Sequence, residues 1–94
     1  MRLISQNGEI DVPYEMSAIR SDDKLIILCM AGETGKGSVI ATYSTSEKAE
    51  KAMDMLREEY RFEKLFETLC SGMGDYPNKP FYYFQFPKDE DVEV

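Results

Sequence analysis

Residues 44–60, STSEKAEKAMDMLREEY, decide the fold class of this chain. The first four, Ser44 to Glu47, match the S-x-x-E capping box, in which the serine hydroxyl and the glutamate carboxylate each satisfy a free backbone amide at a helix start. Beyond them, apolar side chains recur at helical spacing on one face: Ala49, Ala52, Met53, Leu56 and Tyr60. The pattern predicts a helix capped by Ser44 whose apolar face packs on a sheet.

The apolar pattern changes phase after Tyr60. Four large side chains follow on nearly the opposite side of a straight helix: Phe62, Leu65, Phe66 and Leu69. We predict a break near Arg61 and a short second helix from Phe62 to about Cys70, closed by Ser71-Gly72. The alternative is one continuous helix that offers its second apolar face to a partner.

Two segments before the helix predict a β-hairpin. Residues 24–31, KLIILCMA, are too few for a typical helix and suit a central strand that is buried on both faces. Residues 38–43, SVIATY, carry β-branched side chains at positions 39, 40 and 42, which favours a second strand. The polar stretch between them, GETGKG, is typical of a turn.

The N-terminal region predicts another hairpin. Arg2–Ser5 and Glu9–Val12 have strand character, and Asn7-Gly8 between them supplies the positive φ angles that a tight turn requires. Pro13 has no amide hydrogen to donate, so the strand must end or lie at an edge there. Tyr14–Arg20 then continues as a further strand.

The last predicted strand, residues 81–86, is rich in aromatic residues. Its sequence FYYFQF follows a loop over residues 73–80 and places rings on both strand faces. Together the segments predict an α+β fold: a mainly antiparallel β-sheet packed against one long or broken helix, with the helix inserted before the last strand. We expect a single domain over residues 1–87 and an acidic, flexible tail over residues 88–94.

The chain is acidic, with a formal net charge of -7. Because nucleic-acid affinity comes largely from clustered Lys and Arg side chains, we expect a basic host protein surface rather than nucleic acid as the partner. The alternative is that the charge only keeps the protein in solution. No apolar run approaches the roughly 20 residues that cross a bilayer, and we expect no membrane partner and a cytoplasmic location.

The residue types predict a protein that is not an enzyme and has no cofactor and no metal site. The sequence contains no histidine, the usual general base near neutral pH and the commonest transition-metal ligand. Cys29 lies in an apolar run that disfavours its thiolate, and Cys70 lies apart from it, so both are expected to be reduced core residues. Gly32–Ser38 superficially resembles a phosphate-binding P-loop, but it lacks the glycine spacing, and the next segment is predicted to be a strand.

Two groups of apolar side chains are candidates for partner binding. One is the aromatic strand with a tyrosine in the loop before it: Tyr76, Phe81, Tyr82, Tyr83 and Phe84. The other is the second apolar stripe of the helix: Phe62, Phe66 and Leu69. Aromatic side chains are common interface anchors, whereas core filling is the alternative for one face of the strand. Apolar surface left over from folding also leaves a homodimer open.

Three stretches resemble small proteins of undefined role that are encoded in prophages and mobile elements of Firmicutes: MRLISQNGEIDVPYE (1–15), ATYSTSEKAEKAMDMLREEY (41–60) and FQFP (84–87). The resemblance implies a phage accessory protein that acts by binding, such as an inhibitor of a host defence protein of the anti-CRISPR kind. It equally allows a structural or housekeeping prophage protein. A third alternative is a sponge for a nucleotide signal, with four cationic residues as candidate ligands: Arg2, Arg20, Lys24 and Lys36.

Overall fold

The structure, a computed structural model, describes residues 1–30, 37–70 and 83–94, without the side chains of Leu69 and Cys70. Within these residues it contains two three-stranded sheets and one long helix, which confirms the α+β class. The strands are β1 (Arg2–Ile4), β2 (Asp11–Pro13), β3 (Ser17–Asp22), β4 (Leu25–Met30), β5 (Ser38–Thr42) and β6 (Tyr83–Gln85). The helix, α1, spans Ser46–Cys70, and two 3-10 helices span Tyr14–Met16 and Asp89–Asp91.

The sheet β3-β4-β5 is antiparallel, and β4 is its central strand, as predicted from the apolar run. Ile26 and Leu28 of this strand are buried in the core, which explains why the run has little polar character. A two-residue turn joins β3 to β4, with Asp22 opposite Leu25. Asp23 in that turn has a φ of 55°, a left-handed conformation that Asp tolerates better than most residues.

Gly37 lies directly before β5, where the backbone conformation favours glycine and neighbouring atoms leave no room for a side chain. Its φ is 82°, and a Cβ at this position would lie 2.6 Å from the Leu28 carbonyl oxygen and 2.7 Å from the Cys29 Sγ. No larger side chain fits without movement of β4. The rest of the predicted GETGKG turn lies outside the described residues.

The second sheet has the order β2-β1-β6. Its predicted hairpin is confirmed: Gly8 has a φ of 80° and its N–H donates a 2.9 Å hydrogen bond to the Ser5 carbonyl oxygen. The Asn7 side-chain oxygen accepts hydrogen bonds from the Ser5 hydroxyl at 2.7 Å and from the Glu9 N–H at 3.0 Å. Strand β2 ends at Pro13, where a ladder hydrogen bond cannot be donated.

The strands divide between two sheets, whereas the sequence patterns led us to expect one. Strand β6 pairs parallel to β1, with Leu3 opposite Phe84, so the smaller sheet is mixed. Gln6 joins the sheets, because its N–H donates to the Ile40 carbonyl oxygen at 2.8 Å and its side-chain oxygen accepts from the Thr42 N–H at 3.0 Å. Strand periodicity specifies the faces of a strand but not its partner, which is why this arrangement was not anticipated.

Helix α1 begins one residue later than the capping-box interpretation required. The Thr45 hydroxyl oxygen, not that of Ser44, accepts the hydrogen bond from the Lys48 N–H, at 3.2 Å. The prediction that Ser44 is the cap is therefore wrong. Thr45 is an equally suitable N-cap residue, and the sequence pattern alone did not separate the two neighbouring registers.

Helix α1 continues without interruption past Arg61, so the preferred prediction of a break there is wrong, and the helix is continuous as the alternative required. No glycine or proline occurs between Ser46 and Cys70 to interrupt the hydrogen bonding. The predicted core face is buried through Ala49, Ala52, Met53 and Leu56, where the two alanines allow close approach to the sheets. Tyr60, the last residue of that stripe, is half-buried.

The acidic C-terminal segment, predicted as a flexible tail, packs against the start of α1. Val92 is 3% exposed and belongs to the core cluster. The Lys48 ammonium donates to the Asp89 carbonyl oxygen at 2.9 Å and lies 3.4 Å from one of its carboxylate oxygens. The tail prediction rested on the excess of carboxylates and gave no weight to Val92, whose burial orders the residues around it.

Candidate functional site

A groove of about 510 Å³ lies between α1 and β6. Seven of the described residues line it: Met55, Glu58, Glu59 and Phe62 from the helix, and Tyr83, Phe84 and Gln85 from the strand. The groove combines two exposed rings with two carboxylates. We treat it as the candidate functional site because it contains three of the residues predicted to bind a partner.

The helix wall of the groove follows from the continuity of α1. Residues 55, 58, 59 and 62 have the i, i+3, i+4, i+7 spacing of one helix face, beside the stripe that fills the core. Phe62 is 58% exposed, so its ring lies largely outside the core. A break near Arg61 would have separated Phe62 from Met55, and this is why the sequence interpretation did not find the wall.

The aromatic residues of β6, which form the strand wall of the groove, lie on two opposite faces of the strand. Phe84 is buried, and its ring meets that of Phe86 edge-on, with centroids 5.3 Å apart. Tyr83 is 64% exposed on the opposite face. Phe84 therefore fills the core, as the alternative for one face of the strand predicts, and the Tyr83 ring is exposed on the other face.

Of the remaining predicted binding residues, Phe66 is the one whose side chain the structure describes, and it is not among the described residues that line the groove. Phe66 is half-buried on α1 and takes part in contacts of its own. Tyr76, Phe81 and Tyr82 lie outside the described residues, as does the side chain of Leu69. Four lining residues were missed: Met55, Glu58, Glu59 and Gln85. The signal that would have revealed the first three is their helical spacing to Phe62.

The charge in the groove is negative and uncompensated. Glu58 and Glu59 are both exposed, and within the described parts of the chain neither forms an ion pair. Neighbouring carboxylates on the same helix are paired: Asp54 with Arg57 at 3.1 Å and Glu67 with Lys64 at 3.4 Å. The described lining includes no Lys or Arg side chain. The groove therefore favours a cationic group from outside the molecule.

A second cluster of charges, around Met1, has a structural role. Its ammonium lies 2.7 Å from a carboxylate oxygen of Glu15 and 3.5 Å from one of Glu63. The hydrogen bond from this ammonium holds the pKa of Glu15 below its usual value. Glu63 is buried, and its second carboxylate oxygen has no hydrogen-bond partner among the residues that the structure describes. The cluster joins β1 to the middle of α1.

The structure describes part of the other sequence candidates. The segment after the P-loop-like motif is strand β5, not the helix that a P-loop requires. Cys29 is half-buried in β4 and unbonded. Arg2 is held by Asp11, with its Nε 2.8 Å from the carboxylate. No group of three or more potential metal ligands occurs in the described residues.

Among the described residues, no helix has both the length and the apolar character that crossing a bilayer requires. Helix α1 is long enough, but charged side chains occur along most of its surface. Comparison of the chain with protein-family models, with curated proteins and with solved structures gave no match.

Proposed function

We propose that this protein is a non-catalytic binding protein whose groove between α1 and β6 receives a basic segment of another protein. One observation supports the proposal above all: two exposed rings, Phe62 and Tyr83, lie in the same groove as Glu58 and Glu59, which pair with no described cationic residue. The rings favour binding through burial of apolar surface, and the carboxylates favour it through attraction of positive charge. Together they favour a partner that carries both apolar and basic side chains.

The rings favour a side chain that can cover them. Phe62 and Tyr83 expose apolar surface, and burying such surface contributes roughly 25 cal/mol per Å². Aromatic residues in a concave patch are frequent anchors of interface energy. A planar guanidinium stacks on such rings and pairs with carboxylates at the same time, so arginine fits the groove better than any other side chain.

The carboxylates favour a positively charged partner and disfavour phosphates. Two like charges in one groove, on a chain with net charge -7, attract a basic surface during encounter and repel a nucleotide or a nucleic-acid backbone. Of the cationic residues considered for a nucleotide, Arg2 is paired with Asp11 and Lys36 lies outside the described residues. No specific observation favours the nucleotide sponge.

The resemblance to prophage proteins of Firmicutes suggests where such a partner would be met. A phage accessory protein acts in the cytoplasm of the host, and an inhibitor of a host defence protein is the role that we propose. Binding would occlude a basic surface that the host protein needs. The groove accounts for this role without any chemical step.

The proposal is tested by selecting random short peptides from a displayed library on the parent protein. The expected result is enrichment of peptides that contain Arg or Lys beside an apolar residue. Two variants report on the groove: Phe62→Ala should weaken their binding about tenfold or more, and the double variant Glu58→Gln, Glu59→Gln about fivefold.

The control is the double variant Glu50→Gln, Glu90→Gln, which removes the same charge at exposed positions outside the groove. It should bind like the parent at moderate salt, because long-range effects of net charge are screened. Enrichment of acidic peptides would contradict the proposal. So would equal binding to the parent and to both groove variants.

A further inference from the structure

We infer that the groove receives its partner as an added β-strand along the edge of β6 that no described strand occupies. This inference rests on the proposed function and specifies how the basic segment is held. An extended segment laid on a sheet edge gains affinity from backbone hydrogen bonds and specificity from alternate side chains.

The edge of β6 carries unused backbone groups. In the described part of the chain, β6 is the last strand of its sheet and pairs with β1 alone. The Phe86 N–H donates to the Ile4 carbonyl oxygen at 3.1 Å, so the backbone groups of Phe86 and Phe84 face β1. Because these groups alternate along a strand, the N–H and C=O groups of Tyr83 and Gln85 face the opposite edge.

The groove follows this edge and does not lie over one face of the sheet. Three consecutive residues of β6 line it: Tyr83, Phe84 and Gln85. Side chains of consecutive strand residues point to opposite faces, so a depression that touches all three follows the backbone between the faces. Its far wall is α1, which contributes Met55 and Phe62. A strand added to β6 would thus pair with its backbone in the sheet and direct one set of its alternate side chains at the helix wall.

The carboxylates of the helix wall favour a basic segment as the added strand. An added strand directs alternate side chains toward the helix wall, where Glu58 and Glu59 are exposed and without ion pairs in the described region. Arg or Lys at those positions is complementary. A second copy of this chain is a poor occupant, because pairing two β6 edges would bring both copies of these carboxylates together. The occupant is therefore a basic, extended segment of a different protein.

The test uses the tightest basic peptide from the library selection and a set of its analogues, each N-methylated at one backbone position. N-methylation removes an amide hydrogen and leaves the side chain unchanged. If the peptide forms a strand on β6, methylation at alternate positions should weaken binding about tenfold, and methylation at the positions between them should have little effect. Uniform tolerance of methylation, with the parent peptide still bound, would overturn strand addition and leave the proposed function intact.

A variant of the protein tests the same hydrogen bonds from the other side. Gln85→Pro removes one N–H that faces the edge opposite β1, and the Phe86–Ile4 hydrogen bond does not use it. Gln85→Ala is the matched control, since it loses the side chain and keeps the N–H. We expect roughly tenfold weaker binding for the proline variant and less than about twofold for the alanine variant. Equal affinities would overturn the inference.

Two further outcomes identify the occupant and the folding state. Light scattering that reports a dimer dissociated by the peptide would show that a second copy occupies the edge, which would overturn our assignment of the partner. If Gln85→Pro proves unfolded by circular dichroism, the methylation series on the parent protein decides alone. A library that yields no groove-dependent peptide at all would contradict the proposed function itself.

Discussion

One carboxylate oxygen of Asp89 accepts a hydrogen bond of 2.7 Å from the backbone N–H of Ser44, two residues before α1 begins. The C-terminal segment thereby holds the chain at its entry into the helix. This hydrogen bond, followed by smaller contributions that include the Lys48 ammonium, keeps the pKa of Asp89 below its usual value of 3.8.

The first prediction concerns this contact and its pH dependence. Because the folded-state pKa lies below the unfolded one, ionised Asp89 stabilises the fold above pH 3.8, and that contribution is lost as the pH falls through the folded-state pKa. Asp89→Asn should therefore lower the denaturation midpoint at neutral pH. Its difference from the parent should shrink on acidification, as measured by denaturant titrations at several pH values. Asp91→Asn, at an exposed neighbour, is the control and should show neither effect.

The second prediction separates strain from steric clash at two glycines. Gly8 and Gly37 have nearly the same φ, 80° and 82°, but a Cβ would meet its nearest atom at 3.5 Å at Gly8 and at 2.6 Å at Gly37. Gly8→Ala should cost about 1 kcal/mol, from conformation alone. Gly37→Ala should cost roughly 2 to 3 kcal/mol, because β4 must also move. Equal losses in the free energy of unfolding would show that the space around Gly37 is not restrictive.

The third prediction concerns the helix cap. Thr45→Ala removes the hydroxyl oxygen that accepts the Lys48 N–H and should cost about 1 kcal/mol of unfolding free energy. Ser44→Ala should cost less, because the backbone N–H that Asp89 binds is retained. Urea denaturation of both variants compares them directly. A larger effect at Ser44 would place the cap there after all.

The fourth prediction concerns Tyr43 at alkaline pH. Its ring is buried, its hydroxyl donates to the Pro87 carbonyl oxygen at 2.8 Å, and burial, with a smaller contribution from Asp89, raises its pKa above the usual 10.0. A raised folded-state pKa means that stability present below pH 10.0 is lost as the pH rises beyond it. Tyr43→Phe should cost about 1 kcal/mol at neutral pH and should be less sensitive to alkali than the parent. Parallel alkaline unfolding curves for the two proteins would contradict this.

The fifth prediction separates the groove from the core on a single helix. Phe62→Ala changes an exposed ring and should alter the free energy of unfolding by less than about 1 kcal/mol. Leu56→Ala, two turns earlier and 1% exposed, should cost about 3 kcal/mol. Thermal unfolding followed by circular dichroism at 222 nm on the shared helix measures both. A large loss for Phe62→Ala would indicate that its ring supports the fold.

Local elements could be predicted from this sequence more completely than their assembly. Asn7-Gly8 and the apolar run over residues 24–31 carry their signals in adjacent residues, and both were predicted correctly. The parallel pairing of β6 with β1 depends on residues from opposite parts of the chain, and neither strand contains a sign of it. The contact between Asp89 and Ser44 is equally non-local, so a segment that packs on α1 resembled a solvated tail.

The candidate site shows the same difference between single residues, which could be predicted, and their assembly, which could not. Phe62, Tyr83 and Phe84 could be selected as single aromatic residues, because large rings that exceed the needs of the core are visible in the sequence. Glu58 and Glu59 looked like ordinary helix surface, and only the approach of β6 to α1 gives them a role. The charge of the groove follows from the fold, and the partner chemistry that we propose rests on that charge.

The side chain of Gln6 connects segments that are far apart along the chain, since its Nε2 donates to the carbonyl oxygens of Thr42 and of Pro87, the latter 81 positions away. In sheet β3-β4-β5 each strand pairs with the next strand along the chain. Pairing β6 with β1 instead closes a much longer loop, which costs more conformational entropy. We therefore expect β6 to dock late in folding. The strand wall of the groove exists only after that step. A partner bound in the groove, as we propose, would shift the folding equilibrium by mass action toward molecules with β6 in place and would slow proteolysis of the whole chain.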